Sequence, residues 1–302
     1  MLTVGVFGQF KDMRELGKKG TSSDITFYNY KQGDKIITYI EPTRYPDKIA
    51  PLIYTINMMD YALVFIEELT GELGEMLLAL DLAKVERGSF VLGDYVDEEL
   101  FNRVVKGTSM KNFDILNWDY IEIREKLLNI NIERDLSYTK IPIDHYFKVK
   151  SVGTVILGKV EKGIVRVHDN LKVYPINREV MVKSIQIHDN NYNEAKAGDR
   201  VGLALKGIDA EELSRGYILS NKELKTYETI ELDINWNPFK KKDIKEGESY
   251  QIICGLQNIS CVVEDRKGKL KLNKPLAYDD ENIWLIDGSS KIRILGIGKI
   301  KD

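Results

Sequence analysis

The sequence predicts an α/β domain followed by two β-barrel domains, and three observations support this order. The first 136 residues alternate strand-like and helix-like patterns, as in an α/β domain with a mostly parallel sheet. From residue 138, short β runs recur at roughly ten-residue intervals and end in turn residues, which is typical of a barrel. A second series of β runs begins near residue 229. We therefore expect domains at 1–136, 137–224 and 225–302.

Six apolar runs predict the strands of the first domain: LTVGVFG, ITFYNY, IITYIE, ALVFIE, SFVLGD and FDILNW. The segment KQGDK at 31–35 lies between two of them and predicts a hairpin turn. The segment DEELFNRVVKG predicts a helix that Asp97 caps. The residues expected on its one apolar face are Leu100, Phe101, Val104 and Val105.

The second domain is expected to contain the strands TVILGKV, GIVRV, NLKVYP, VMVKSIQI and VGLALKG. The segment 129–140 is the expected linker that precedes it. The β runs expected in the third domain are 229–236, 249–264, 269–276, 282–286 and 291–300.

Composition limits the possible functions. The net charge is −3, but residues 1–136 hold 16 Lys and Arg against 23 Asp and Glu, while the remainder holds 28 against 24. This asymmetry indicates a polyanionic partner for the more basic part. Three scattered histidines and no Cys-x-x-Cys pair argue against a zinc site, so we assign no metal ligands and no catalytic residues.

The two cysteines and the apolar runs bear on the compartment. Cys254 and Cys261 are expected to be free thiols in a reducing cytoplasm. No apolar run approaches the ~20 residues of a membrane span, and no signal peptide is recognised. We expect a cytoplasmic monomer without a membrane partner.

The stretch from Asp144 to Leu219 closely resembles domain 2 of translation factors of the EF-Tu family. The matching features are a GTVxxGxVxxG core, the turn EAKAGDRVG and the closing pair Arg215-Gly216. Within the family the chain is most similar to SelB, the selenocysteine-specific factor of archaeal type. RILGIGKI resembles the closing strand of domain 3, which is expected to be shortened here. The first domain resembles the family's P-loop GTPase domain in the order of its elements and in KKGTSSDITF.

The resemblance implies a nucleotide site, and its first motif is degenerate. The family reads Gly-His-x-Asp-x-Gly-Lys-Ser/Thr after the first strand. With Gly8 as the first glycine, Met13 replaces the second glycine, Arg14 the phosphate-binding lysine and Glu15 the magnesium-binding hydroxyl. A carboxylate at that place would repel the phosphates.

The remaining nucleotide motifs are also altered. The helix that should follow the loop is nearly deleted, and the switch threonine is at best Ser22. The motif Asp-x-Pro-Gly-His becomes Glu41 to Tyr45, so Tyr45 stands where the water-positioning histidine belongs. The guanine-reading motif is replaced by Gly93 to Val96. These departures predict a pseudo-GTPase without a cofactor.

The resemblance also implies a pocket for the aminoacyl end of a charged tRNA. Asp144 and His145 match an Asp-His pair of the family, and Arg215 matches the arginine of its Glu-x-Arg-Gly motif. The aspartate is expected to orient that arginine. Glu211 or Glu212 lies where the family contacts the terminal adenosine.

Three functions remain open from the sequence. The first is a GTP-independent relative of SelB that binds a tRNA, with or without its amino acid, or the ribosomal factor site. The second is a divergent but active elongation factor for selenocysteine or pyrrolysine, with GTP and Mg²⁺ as cofactors and a rearranged nucleotide site that uses Arg14, Lys18 and Lys19. The third is a protein-interaction scaffold without RNA.

Overall fold

The computed structural model describes residues 1–240, 244–265 and 268–301. It consists of two compact units. The first contains Met1–Ile132 together with Ser290–Ile294, and the second contains Glu133–Ser289 together with Leu295–Asp302. Among the described residues, no helix combines the length and the apolar composition that a membrane span requires.

The first unit, all of whose residues are described, is an α/β domain with one seven-stranded sheet. Its strands are β1 Leu2–Gly8, β2 Lys18–Ser22, β3 Thr26–Gln32, β4 Lys35–Glu41, β5 Tyr61–Ile66, β6 Gly88–Leu92 and β7 Asp114–Leu116. Its helices are α1 Ala50–Met58, α2 Gly71–Leu82, α3 Glu98–Val105 and α4 Tyr120–Leu128. The strand order is β2-β3-β4-β1-β5-β6-β7, and β4, β1, β5, β6 and β7 run parallel. The expected mostly parallel α/β domain is thus confirmed.

Local signals in the sequence explain several of these elements. All of β5 and nearly all of β1 are buried, as central strands of a parallel sheet require. Gln32 pairs with Lys35 across a turn in which Gly33 has a φ of +58°, so the hairpin at 31–35 is confirmed. Asp97 caps α3 by accepting a hydrogen bond from the amide of Leu100 at 2.9 Å.

The expected apolar face of α3 is only half buried. Phe101 and Val105 lie in the core, but Leu100 and Val104 remain 43% and 49% exposed. Sequence periodicity predicted that these four residues share one apolar face, and only Phe101 and Val105 of that face are buried. The neighbouring sheet contacts a narrower strip of the helix than four residues occupy.

The first part of the second unit is a closed barrel whose residues are all described. Its strands are β8 Lys140–Val149, β9 Gly153–Lys159, β10 Ile164–Arg166, β11 Asn170–Tyr174, β12 Arg178–Ile187, β13 Asn190–Tyr192, β14 Glu194–Lys196, β15 Arg200–Lys206 and β16 Ile218–Ser220. The main sheet has the order β11-β16-β8-β9-β15-β12-β13, and a further pairing of β11 with β12 closes six of these strands into a ring. The barrel expected for this region is confirmed.

The rest of the second unit is an antiparallel sheet of seven strands among its described residues. They are β17 Lys225–Ile230, β18 Leu232–Trp236, β19 Ser249–Cys254, β20 Gln257–Val263, β21 Leu270–Tyr278, β22 Ile283–Ile286 and β23 Ile294–Ile300. The order is β17-β21-β20-β19-β22-β23-β18. Cys254 and Cys261 are buried, unbridged thiols, as expected, and burial raises the pKa of Cys261 to about 12.

A buried lysine joins the two parts of the second unit. Lys140, the first residue of β8, is 2% exposed, and its Nζ lies 3.2 Å from Glu161 and 3.6 Å from Asp279 and also contacts Glu281. Burial alone would lower the pKa of Lys140, but the surrounding carboxylates outweigh burial and raise it. The ammonium group therefore holds the turn between β21 and β22 against the start of β8.

We expect Lys140→Ala to destabilise the second unit by about 3–5 kcal/mol, because it removes the buried cation shared by Glu161, Asp279 and Glu281. Urea unfolding followed by tryptophan fluorescence measures this loss. Lys299→Ala is the matched control, since its pair with Asp280 is half exposed or more on both sides and is expected to contribute less than about 1 kcal/mol. Equal effects of the two substitutions would show that burial does not determine how much these ion pairs contribute to the free energy of unfolding.

Candidate functional site

Asp144 occupies an irregular position in β8. In the pairing of β8 with β9, Ile143 lies opposite Gly158 and His145 lies opposite Leu157, so Asp144 is an additional residue in the strand. Such a β-bulge redirects the side chains beside it. The carboxylate of Asp144 is buried, with 1% exposure, at the point where β8 changes from buried to exposed residues.

Two side chains neutralise this buried carboxylate. The guanidinium of Arg200, at the start of β15, binds it with both Nη atoms, and the Nη2–Oδ1 distance is 3.1 Å. The Nδ1 of His145 lies 2.7 Å from Oδ1. Burial alone would raise the pKa of Asp144, but Arg200 and His145 outweigh it and hold the pKa below its usual value. The carboxylate is therefore ionised and fixes the orientation of both partners.

Arg215 approaches the same residue from the turn that precedes β16. Its Nε donates to the backbone carbonyl of Asp144 at 3.0 Å. The loop that carries it is held on β8, because the amide of Gly216 donates to Ile143 at 2.9 Å. Gly216 has a φ of +87°, and a Cβ there would lie 2.5 Å from the amide nitrogen of Gln257, so no other residue fits after Arg215.

The 3-10 turn that precedes Arg215 contacts β8, and exposed groups lie in both segments. Glu211 lies in a short 3-10 turn, Ala210–Glu212, and is exposed, whereas the carboxylate of Glu212 accepts a hydrogen bond from the amide of Asp209 at 3.0 Å. Of the two glutamates, Glu211 is thus the one whose carboxylate is not used in capping the turn. Tyr146 and Phe147, which follow His145, are also exposed. We call Asp144, His145, Arg200, Arg215 and Glu211 the barrel pocket.

The chemistry of the barrel pocket favours an anionic or strongly polar ligand. Two guanidinium groups and an imidazole converge on Asp144, so several hydrogen-bond donors are held at fixed positions around one buried residue. Arginine provides several donors in a fixed plane, and charge-assisted hydrogen bonds are about twice as strong as neutral ones.

The end of β1, where the sequence predicts the degenerate nucleotide site, is tied to its neighbour β5. Gly8 has a φ of +85°, and a Cβ there would lie 1.9 Å from the carbonyl oxygen of Phe65. The amide of Gln9 donates to that carbonyl at 2.9 Å. The side-chain oxygen of Gln9 accepts from the amides of Glu67 and Glu68 at 3.0 and 2.9 Å.

The residues that replace the phosphate and magnesium ligands have other contacts. Arg14 forms a bidentate ion pair with Asp12, with N–O distances of 2.7 to 3.0 Å, and this lowers the pKa of Asp12 to about 2. Met13 is buried and Glu15 is exposed. Within the described stretch 9–34, the helical residues are limited to the 3-10 turn Met13–Glu15, and the chain then forms strand β2.

The other three predicted positions are hydrogen-bonded within the first unit. The Oγ of Ser22 lies 2.9 Å from the Oγ1 of Thr26, and Glu41 accepts a hydrogen bond from the hydroxyl of Tyr28 at 2.9 Å. The hydroxyl of Tyr45 lies 2.8 Å from the carbonyl oxygen of Glu72 and 3.0 Å from the carboxylate of Glu75.

Comparison with known proteins agrees with this architecture. The family model for elongation factor Tu domain 2 matches residues 153–220. The chain is 65% identical to the uncharacterized protein MJ0325 of Methanocaldococcus jannaschii over 99% of each chain. It is 35% identical to the selenocysteine-specific elongation factor of the same organism, over 70% of this chain and 50% of that one. It thus spans about half the length of this curated relative.

Two crystal structures of translation elongation factor SelB from Methanococcus maripaludis have the same fold. The apo form gives a TM-score of 0.81 at 26% identity, and the complex with the GTP analogue GppNHp gives 0.83 at 24%. Each match covers 100% of this chain and 79% of the SelB chain. The chain is a SelB-like member of the EF-Tu superfamily.

Sequence reasoning about this SelB-like chain missed Arg200 and misassigned the partner of Asp144. We expected the carboxylate to orient Arg215, but it binds Arg200, and Arg215 meets Asp144 at its carbonyl group. The turn EAKAGDRVG, which contains Arg200, was the available signal. Strand β9 pairs with β8 on one side and with β15 on the other, so Arg200 at the start of β15 lies two strands away from Asp144 in the sheet.

We expect Arg200→Met to destabilise the barrel of this SelB-like protein by about 3–5 kcal/mol near pH 7, since it leaves Asp144 buried and less compensated. The double variant with Asp144→Asn is expected to lose clearly less than the sum of the single losses. Urea unfolding of the four proteins measures the coupling. Arg166→Met is the control, because its pair with Glu194 is exposed. Additive losses would contradict the assigned pair.

The lowered pKa of Asp144 also predicts a dependence on pH. Its ionised form stabilises the fold fully above the unfolded pKa of ~4, and this stabilisation is lost as the pH falls through the lower folded value. Asp144→Asn should therefore reduce the slope of stability against pH on the acid side. Unfolding free energies between pH 2 and pH 6 test this, and an unchanged slope would show that Asp144 is not ionised in the fold.

Proposed function

We propose that this protein binds the aminoacyl end of a charged tRNA in the barrel pocket and does so without a nucleotide-controlled switch. The observation that carries the proposal is the convergence of Arg200, His145 and Arg215 on the buried Asp144. A fixed arrangement of cationic donors suits the polar end of an aminoacyl ester or an anionic side chain on it. In this proposal the exposed carboxylate of Glu211 accepts hydrogen bonds from the terminal nucleoside.

The contacts of the degenerate site support the absence of a switch. A working site needs a lysine on the phosphates, a hydroxyl on magnesium and an aspartate that reads the base. Each charge-assisted hydrogen bond contributes about 1.5–3 kcal/mol, so losing three removes roughly 4.5–9 kcal/mol of binding free energy. A loss of this size moves a micromolar site beyond millimolar affinity. Arg14 does not substitute for the lysine while it is paired with Asp12.

Without hydrolysis, cargo cannot be released by a nucleotide cycle. A carrier, protective or regulatory role for a charged tRNA therefore fits better than delivery by a GTP-driven cycle. The ribosomal factor site is the alternative partner of the same surfaces, because SelB-like barrels belong to translation factors.

We expect fluorescent GTP and GDP to bind with dissociation constants weaker than about 1 mM in the presence of Mg²⁺. The physical reason is the ion pair at Arg14 together with the carboxylate at Glu15. Equilibrium titration followed by anisotropy provides the measurement. A dissociation constant below about 10 μM would instead identify a divergent but active GTP-binding factor.

We expect His145→Ala and Arg215→Ala to weaken binding of charged tRNA about tenfold or more, because each removes a charge-assisted donor. The salt dependence should stay the same, since phosphate contacts elsewhere set it. Filter binding against aminoacylated and deacylated tRNA at several salt concentrations measures both quantities.

Arg178→Ala is the matched control for the arginine. Its Nε also donates to a backbone carbonyl of the barrel, that of Gly207, at 2.9 Å, but outside the pocket. Its affinity should equal that of the wild type. Equal weakening by Arg178→Ala and Arg215→Ala would exclude the pocket, and no binding of any tRNA at low salt would favour a scaffold role. Sequencing of RNA that copurifies with the protein identifies the tRNA.

A further inference from the structure

The carboxyl ends of β5 and β6 form an edge of the first unit's sheet, and this edge is not part of the barrel pocket. The loops after these strands lie side by side, because the amide of Gly93 donates to the carbonyl of Ile66 at 2.8 Å. A Cβ on Gly93 would lie 3.4 Å from the Cα of Glu67. Gln9 fixes the first loop by accepting from two of its amides. The side chains here are therefore displayed on a fixed backbone.

Large apolar side chains are exposed along this edge. Tyr95, in the loop after β6, is 99% exposed, and Leu69, in the loop after β5, is 47% exposed. The chain passes from Tyr95 directly into α3, where Leu100 and Val104 are exposed and lie one turn apart on the helix. Leu100 and Val104 do not form the contact of α3 with the core. That contact is made by Phe101, which packs on Phe90 with ring centroids 4.8 Å apart.

The charges along the edge are mainly negative, and Arg103 of α3 is the exception. Segments 66–70 and 92–100 contain no lysine or arginine. Their acidic residues are all exposed, and they are Glu67, Glu68, Asp94, Asp97, Glu98 and Glu99. A surface of this kind repels a nucleic-acid backbone and attracts a cationic partner. In an open parallel sheet, the carboxyl ends of the strands are also where ligands usually bind.

We propose that the edge formed by residues 67–69 and 94–104, here called the acidic edge, binds a basic amphipathic segment of another protein. Lysines and arginines of that segment pair with the carboxylates, and its apolar side chains cover Tyr95, Leu69, Leu100 and Val104. The proposed ligand is thus cationic, whereas the ligand of a phosphate loop is an anion. The inference stands apart from the tRNA proposal, because the barrel pocket belongs to the other unit.

A labelled synthetic peptide with leucine and lysine at helical spacing tests the proposal on the full chain. We expect it to bind at low salt, and a matched peptide with glutamate in place of lysine not to bind. Glu67→Lys with Glu68→Lys should weaken binding about tenfold or more. Tyr95→Ser should weaken it about fivefold with an unchanged salt dependence, since it removes apolar contact only.

Two controls separate this site from general attraction to an acidic domain. Glu122→Lys with Glu125→Lys makes the same change in charge on the exposed surface of α4, and Tyr192→Ser removes another exposed tyrosine. Both should leave binding within about twofold of the wild type. Equal weakening by the two charge reversals, or no effect of Tyr95→Ser, would overturn the proposal. Charged-tRNA binding measured on the same variants should not change, so the two proposals fail independently.

Discussion

The ionised carboxylate of Asp144 constrains the whole barrel pocket. A charge that is 1% exposed is strongly unfavourable unless cations and donors surround it. Arg200 and His145 meet this need, and the bulge at Asp144 turns the carboxylate toward them. Gly158, opposite Ile143, must remain small because a Cβ would lie 2.4 Å from the carbonyl of Pro142. The geometry of the pocket thus follows from compensating one buried charge.

The two units place their charges differently, and this difference separates their proposed roles. In the second unit, Lys140 and Asp144 are buried charges in rigid ion networks, which fix strands and leave cationic donors at a defined place. In the first unit, Arg14, Glu15 and the carboxylates of the acidic edge are exposed. Exposed charges contribute little to stability, but they set the sign of the potential that a partner meets. The pocket therefore favours an anionic ligand and the edge a cationic one.

The sequence predicted the elements with strong local signals better than the long-range contacts. Apolar runs predicted β1 and β5, and Asp97 predicted the start of α3. Strand β2 was not predicted, because KKGTS has no apolar alternation and is a strand only through its pairing with β3. In the site, the family resemblance gave Asp144, His145 and Arg215. Arg200 lies 56 residues from Asp144, and only the order β8-β9-β15 brings the two together.

The loop after β1 shows how this fold persists if no nucleotide binds. A phosphate loop without its ligand leaves backbone amides without acceptors, which is unfavourable where water is excluded. Here Gln9 donates to Phe65, Arg14 to the carboxylate of Asp12, and Leu16 to the carbonyl of Met13. Met13 and Leu16 also pack into the core beside β1, so internal contacts supply the stabilisation that a bound ligand would add. Restoring a single lysine at position 14 would therefore not recreate a phosphate site, because the amides of Gln9, Arg14 and Leu16 already have acceptors and Glu15 still replaces the magnesium-binding hydroxyl.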